Sequence, residues 1–335
     1  MIRRRLITVP RTVLLWLLLS ISLPAVIPIA AIVDFVRWLT TKKPWMAIRL
    51  VFIAWVYFTA QVAVILFAGL QWAASLPFTP GAARRRCEWS YWLQTRWVQA
   101  IMWALRRAFS LRFSVQGADE IVPGPIVVLF RHASIMDNLL PHVFVSAGAG
   151  IRLRWVLKKE LLSDPALDIG GNRMPNYFVD RDSDDPAAER EAISALGRDL
   201  GPHEGVMLFP EGTRFSPERR KRRMEKLAAS DPDLHALLAP YDGILPPRAG
   251  GVLALLDAGT DVVVATHVGL EALRGIKEIW RKPPIGNTVT VSFRRFNADT
   301  IPRDARERKR WLYEAWSWVG KETERIQASM RPASD

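Results

Sequence analysis

With 335 residues, half of them hydrophobic and fourteen of them Trp, the chain has room for one domain of ordinary size and additions. Its 46 Lys and Arg against 33 Asp and Glu leave a charge of +13, which fits an anionic partner; the tryptophans favour a lipid surface over nucleic acid, because indole suits the boundary between water and hydrocarbon. The lone Cys87 excludes an internal disulfide and a cysteine-rich zinc site, and His132, His142, His203, His235 and His267 are never three or four apart, so no metal is expected.

No charge falls between Thr12 and Val33 or between Leu50 and Ala83. Both runs meet the roughly 20 apolar residues that a spanning helix needs. Arg3, Arg4 and Arg5 also fit a secretory signal, but the cleavage pattern is poor and a second apolar run follows. Pro24 and Pro28 should kink the first helix, which keeps a re-entrant hairpin open beside a spanning one. Arg3, Arg4, Arg5, Arg11, Arg84, Arg85 and Arg86 flank the pair outside, against Arg37, Lys42, Lys43 and Arg49 between the runs. That excess favours both ends, and the long C-terminal region, on the cytoplasmic side. Residues 1–84 are therefore read as a membrane-embedded helical hairpin and 85–335 as a second domain. The latter opens with an amphipathic, Trp-rich helix over 85–110. Leu93, Trp97, Ala100, Ile101, Ala104, Leu105 and Ala108 share one side, opposite Thr95, Gln99 and Arg106. Its four tryptophans favour the lipid interface over packing on the soluble part.

From about residue 111 short apolar runs alternate with polar helices. The predicted strands are 111–115, 126–130, 154–157, 177–180, 206–209, 262–265 and 288–293, with helices over 186–200, 250–259 and 305–326. The last strand alternates and should have one wet face; the others are continuously apolar, as strands covered on both faces are. The fold class is α/β, a mostly parallel sheet flanked by helices and preceded by the hydrophobic hairpin. Met224 to Pro240 reads only as a surface helix or loop.

Polar residues follow four of these strands: Arg131 and His132; Asp180 and Arg181; Glu211, Gly212, Thr213 and Arg214; Thr266 and His267. Ligands of open α/β sheets sit outside the C-terminal strand ends. Here "HASIMD" and "FPEGTR", about eighty residues apart and in this order, match the first and third motifs of the glycerolipid acyltransferases. That family includes 1-acylglycerol-3-phosphate acyltransferase. "YFVDR" resembles its second motif and "VLKKEL" a further segment. "LPPRAGG" followed by "VVVATHVG" is most similar to the lysocardiolipin and lysophosphatidylinositol acyltransferase branch. The resemblance covers roughly residues 110 to 295 and identifies 85–335 as an acyltransferase domain.

The resemblance implies transfer of a fatty acyl group from acyl-CoA or acyl-ACP, with no bound cofactor, to the free hydroxyl of a lysophospholipid, sn-2 being favoured. Lysophosphatidic acid is the leading acceptor; lysocardiolipin, lysophosphatidylinositol or lysophosphatidylglycerol are alternatives. It gives His132 the role of general base, which neutral imidazole suits. Asp137 would fix the ring's tautomer and stabilise the imidazolium. Residues five apart in one helix diverge, so the two could not pair mid-helix; if His132 lies in a loop and Ser134 caps the helix, Asp137 sits in its first turn and the ring can fold back to it. Ser134 as an acyl-enzyme nucleophile is the weaker reading. Arg181 and Arg214 offer forks for phosphate, Gly212 a tight turn, Thr213 a hydroxyl, and Glu211 a hold on an arginine or a glycerol hydroxyl.

Departures from the family pattern bear on single residues. Arg131 stands where many members have Asn, and would contact acceptor phosphate or face solvent. Pro175 and Asn176 stand near the second motif's usual glycine. Thr266 and His267 replace a common proline, as pocket or core residues. The run "RRKRR" (219–223) is a solvated face or a patch for anionic lipid or coenzyme A phosphates. Two other classes remain open: a membrane lipid hydrolase, disfavoured because Gly-x-Ser-x-Gly is absent, and a non-catalytic basic membrane-surface protein.

Overall fold

A computed structural model describes residues 1–76, 78–180 and 184–330. Its helices are α1 (Ile2–Thr41), α2 (Ala47–Ala74), α3 (Ala82–Phe109), α4 (Leu139–Pro141), α5 (Pro165–Gly171), α6 (Pro186–Leu196), α7 (Pro217–Ser230), α8 (Pro232–Leu238), α9 (Ala249–Leu256), α10 (Ile276–Arg281) and α11 (Ala305–Ser329). The strands are β1 (Arg112–Gln116), β2 (Ile126–Phe130), β3 (Arg152–Lys158), β4 (Tyr177–Val179), β5 (Glu204–Leu208), β6 (Asp261–Val268) and β7 (Thr288–Phe296). The chain forms two compact units: residues 1–112, 158–176 and 280–287 make the first, and 113–157, 177–279 and 288–335 the second.

In the first unit, α1 and α2 are each long and apolar enough to cross a membrane. One helix runs through Pro10, Pro24 and Pro28. The hairpin turn is closed by charge: α2 has no side-chain cap of its own, and the buried Asp34 on α1 accepts the amides of Met46, Ala47 and Ile48 at 2.7, 2.9 and 3.0 Å. A carboxylate inside an apolar hairpin is tolerable because three of the orphan donors of α2 surround it. Two tryptophan N–H groups cross between the helices, Trp16 to Thr59 Oγ1 and Trp55 to Ser20 Oγ. Asp164, the N-cap of α5, accepts from Tyr57 and Gln61 of α2. Arg4 and Arg5 both grip the buried Asp168 of α5. At the other end of α1, Arg37 donates to the carbonyl of Trp280 at 2.6 Å.

The apolar side expected of the Trp-rich helix is the buried side of α3, with Leu93, Ile101, Ala104, Leu105 and Ala108 all below 9% exposure. It packs on α2 and α5, while Trp92 and Trp103 stay about half exposed.

In the second unit seven strands run in the order β1-β7-β6-β2-β5-β3-β4. Strands β6, β2, β5 and β3 are parallel and β7 is antiparallel to β6. All seven predicted strands are present, and β2 is buried along its whole length. Gly205 lets β5 approach β2: a Cβ there would stand 2.7 Å from the Ile126 carbonyl oxygen. On one face α11 lays Leu312, Trp316 and Val319 against Val262 and Val264, and Trp316 Nε1 donates to Leu245 O at 3.0 Å. Within 224–240, which the sequence predicts as a surface helix or loop, residues 224–230 end α7 and 232–238 form α8, the two helices being N-capped by Ser216 and Asp231.

Candidate active site

The central strands β6, β2 and β5 end side by side, and the residues past those ends form the site. β4, followed by the predicted Arg181, is instead at the sheet edge with β3 between it and β5. Arg181 itself lies outside the described residues.

Beyond Phe130 the ladder continues for one bond, Arg131 N to Ala265 O, and the chain then leaves the sheet. His132 stacks on Phe209, with ring centroids 4.4 Å apart. Its Nδ1 lies 3.0 Å from Oδ2 of Asp137, which is fully buried. The same oxygen accepts the amides of Ala133 and Ser134, and Oδ1 accepts the Ser134 hydroxyl. His267 Nε2 stands 2.9 Å from Oδ1 but is misaligned for a hydrogen bond, and its Nδ1 has no partner among the described residues. Burial alone would raise the Asp137 carboxyl. The charge of His267, the bond from His132 and the remaining contacts outweigh it and hold the group well below the usual carboxylate range. An ionised carboxylate only accepts, so His132 carries its proton on Nδ1 and leaves the Nε2 lone pair free. The His132 side chain is 17% exposed, enough for a ligand to reach it.

The expected helix cap is replaced by a turn. Ser134 spends its hydroxyl on Asp137 and accepts from Met136 N, and α4 begins only at Leu139. Asp137 folds back onto the amides upstream of it instead of occupying a helical first turn. The two amides and the aspartate thus fix the His132 loop without a helix N-terminus.

The third motif is tied to the first through the backbone, Phe215 N to His132 O at 2.7 Å. Gly212 takes φ +64° in a turn closed by its own N–H on Phe209 O, a conformation in which a side chain is strained. Thr213 is half-buried and Arg214 exposed, with Nη1 on the Arg274 carbonyl at 3.1 Å. Glu211 is different: its side chain is buried, Oε1 accepts Leu245 N at 3.3 Å, and Oε2 has no hydrogen-bond partner among the described residues. Desolvation, partly countered by the Arg131 charge, pushes its carboxyl up to about 8, so it is mainly protonated at neutral pH. Expected among the phosphate-binding residues, Glu211 faces inward, away from any solvent-borne phosphate.

Arg131 neither meets solvent nor is placed for a ligand. It is buried, with Nε and Nη2 on the Gly243 carbonyl and Nη1 on that of His267, 3.4 Å from Glu271. Thr266 is equally committed, its hydroxyl 2.7 Å from that of Thr323 on α11. In "RRKRR", Arg220 donates to the carbonyls of Leu238, Ala239 and Tyr241, and Arg223 to those of Glu211 and Pro246, so both pin α7 to neighbouring loops. Sequence reasoning passed over Arg248, which packs over Gly212: a Cβ on that glycine would meet its Cδ at 3.1 Å. The signal was the arginine within "LPPRAGG".

Residues 112–267, which hold all of this geometry up to His267, match the family model described as Acyltransferase. Over 140 residues the chain is 28% identical to a 1-acyl-sn-glycerol-3-phosphate acyltransferase of Pseudomonas aeruginosa, covering 42% of this chain and 50% of that protein. The chain thus spans about half the length of the curated relative it matches. Its fold is similar to the crystal structure of the 1-acyl-sn-glycerophosphate acyltransferase from Thermotoga maritima, with a TM-score of 0.54 and 17% identity, over 85% of this chain and 98% of that one. Through residues 112–267, then, the chain is similar to the acyltransferase family.

Proposed function

We propose that the chain moves a fatty acyl group from an acyl thioester, acyl-CoA or acyl-ACP, to the free hydroxyl of a lysophospholipid, with His132 as general base. The observation that carries this reading is one imidazole held by a buried, ionised Asp137 through Nδ1, with Nε2 free at the sheet edge. As the acceptor oxygen attacks the thioester carbonyl carbon, Nε2 takes its proton. When the tetrahedral adduct collapses, the C–S bond breaks and the imidazolium returns the proton to the thiolate. The Ser134 hydroxyl is buried and committed to Asp137, which speaks against an acyl-enzyme and for direct transfer. Arg214, two residues past Gly212, and Arg248, which packs over it, are the proposed grips for the acceptor phosphate, with Arg181 as a third. The name of the Pseudomonas relative supports lysophosphatidic acid, and hence the sn-2 hydroxyl, as acceptor. Purified His132→Ala should lose transfer while remaining folded. Diacyl lipid made by that variant at near-normal rate, or free fatty acid as the wild-type product, removes the reading.

The reaction is placed at a membrane, with the second unit on the cytoplasmic face as the flanking arginines favour. The hairpin is proposed to sit in one leaflet without crossing. Arg4 and Arg5 at one end of α1 hold Asp168, and Arg37 at the other holds Trp280, so both ends of α1 are tied to polar segments within the same unit. A cysteine introduced at Lys42 should be labelled in sealed vesicles from the side that labels the C-terminal region; labelling from the opposite side overturns this placement.

A further inference from the structure

We propose that the tip of the α1–α2 hairpin holds a membrane phospholipid with an anionic headgroup, at a site separate from the acyl-transfer residues. The last turns of α1 and residues 280–281 enclose a groove of about 530 Å³, within the roughly 300–1,000 Å³ of ordinary ligand sites. One wall is apolar: Ile32, Val33 and Val36 are 63%, 43% and 52% exposed. The other end carries Arg37, Lys43 and Arg281, with no acid among the lining residues. Arg37 is braced, its guanidinium 4.5 Å from the Trp280 ring centroid and its Nη atoms on the carbonyls of Pro44 and Trp280. Lys43 and Arg281 are exposed, and their side chains make no hydrogen bond or ion pair among the described residues. Asp34, the nearest acid on α1, is buried, bound to three amides and not part of the groove lining.

Apolar residues beside unpaired cations, on a helix made for lipid, ask for an amphiphile: chain methylenes along Ile32, Val33 and Val36, and a phosphate between Lys43 and Arg281. A soluble phosphate would leave the apolar wall wet, and a neutral zwitterionic lipid would bring its own cation to the three present. Exposed Trp38 and Trp45, with Lys42 Nζ 4.6 Å from the Trp38 ring centroid, set this tip at headgroup level.

The test uses the full chain in detergent with an equal mixture of phosphatidylglycerol and phosphatidylcholine, the retained lipid being read by native mass spectrometry. Wild type should retain phosphatidylglycerol preferentially. Lys43→Gln and Arg281→Gln should each reduce that preference about fivefold, and the double variant on the order of thirtyfold, as expected for loss of cations near anionic lipid. Acyl transfer in detergent should be unchanged in both single variants. The charge-conserving pair Lys43→Arg with Arg281→Lys should keep the preference, and so should Arg214→Ala, which alters the proposed acceptor site. Equal retention of the two lipids by wild type, loss of preference in Arg214→Ala alone, or displacement of the lipid by millimolar glycerol phosphate overturns the proposal.

Discussion

Replacing Asp137 by asparagine and by alanine should produce two different failures, because its carboxylate serves a loop and the proposed base at once. Oδ2 accepts the amides of Ala133 and Ser134 as well as His132 Nδ1; Oδ1 accepts the Ser134 hydroxyl and faces His267 Nε2. An asparagine can turn its oxygen to the three donors on the Oδ2 side. Its NH₂ then meets the Ser134 hydroxyl, which can rotate to accept, and His267 Nε2, which can accept in its other tautomer. The loop survives, at a cost of about 1 kcal/mol as charged hydrogen bonds become neutral ones. Alanine leaves two amides and a hydroxyl buried without partners, at about 1–3 kcal/mol each, so roughly 3–9 kcal/mol against a typical total of about 5–15. For turnover, Asp137→Asn removes the negative charge that an imidazolium at His132 would need, and by analogy with hydrolase triads the rate should fall on the order of a thousandfold or more. Thermal unfolding in detergent reads the first effect, and mass analysis of diacyl product the second. Equal stability of the two variants, or an asparagine variant with more than about a tenth of normal turnover, would refute the reasoning.

Two further outcomes follow from the same geometry. Glu211 has its carboxyl raised from 4.5 to about 8 by burial, so between those values the folded chain holds a proton that the unfolded chain has released. Stability should therefore decline with rising pH across that window, by up to about 1.4 kcal/mol per pH unit. Glu211→Gln should flatten the slope, and an unchanged slope by thermal denaturation from pH 5 to 8 would place the titrating proton elsewhere. Arg214→Ala should raise the acceptor KM on the order of ten- to a hundredfold with kcat nearly constant, the signature of lost uniform binding through a charged hydrogen bond; an unchanged KM removes its phosphate role.

The strands were legible because most are uninterrupted apolar runs, which only a doubly covered sheet makes economical. β6 was read too short. Thr266 and His267 look like the start of a loop, yet both are buried, because Thr323, 57 residues further on, answers the hydroxyl and Asp137 faces the ring. No local pattern carries such partners. Ser134-x-x-Asp137 reads the same whether the acid caps a helix ahead or binds amides behind, and here the amides of 133 and 134 win it. Arg131, Arg220 and Arg223 were hidden for a related reason. An arginine that ends on distant carbonyls is, in sequence, the same letter as one that waits for a phosphate.

The buried charges around His132 explain why so many ionisable groups share one strand edge. Burial alone would raise Glu271, but the neighbouring Arg131 and His267 hold it below its usual range, so Glu271 and Asp137 are both ionised. Arg131 offsets one of these two negative charges, and Glu211, protonated at neutral pH, adds none. Asp137, Glu271, Arg131 and Glu211 together thus carry one net negative charge. On the proposed mechanism, that charge faces the imidazolium that forms on His132 when it takes the acceptor's proton. In a buried, low-dielectric setting that attraction is worth far more than in water, and no group has to move to supply it. Were Glu211 ionised, the cluster would carry a second uncompensated charge in its resting state. On this account the inward-facing acid of the third motif contributes by staying neutral, and Arg131 by spending its fork on two carbonyls so that its charge remains fixed beside the proposed base.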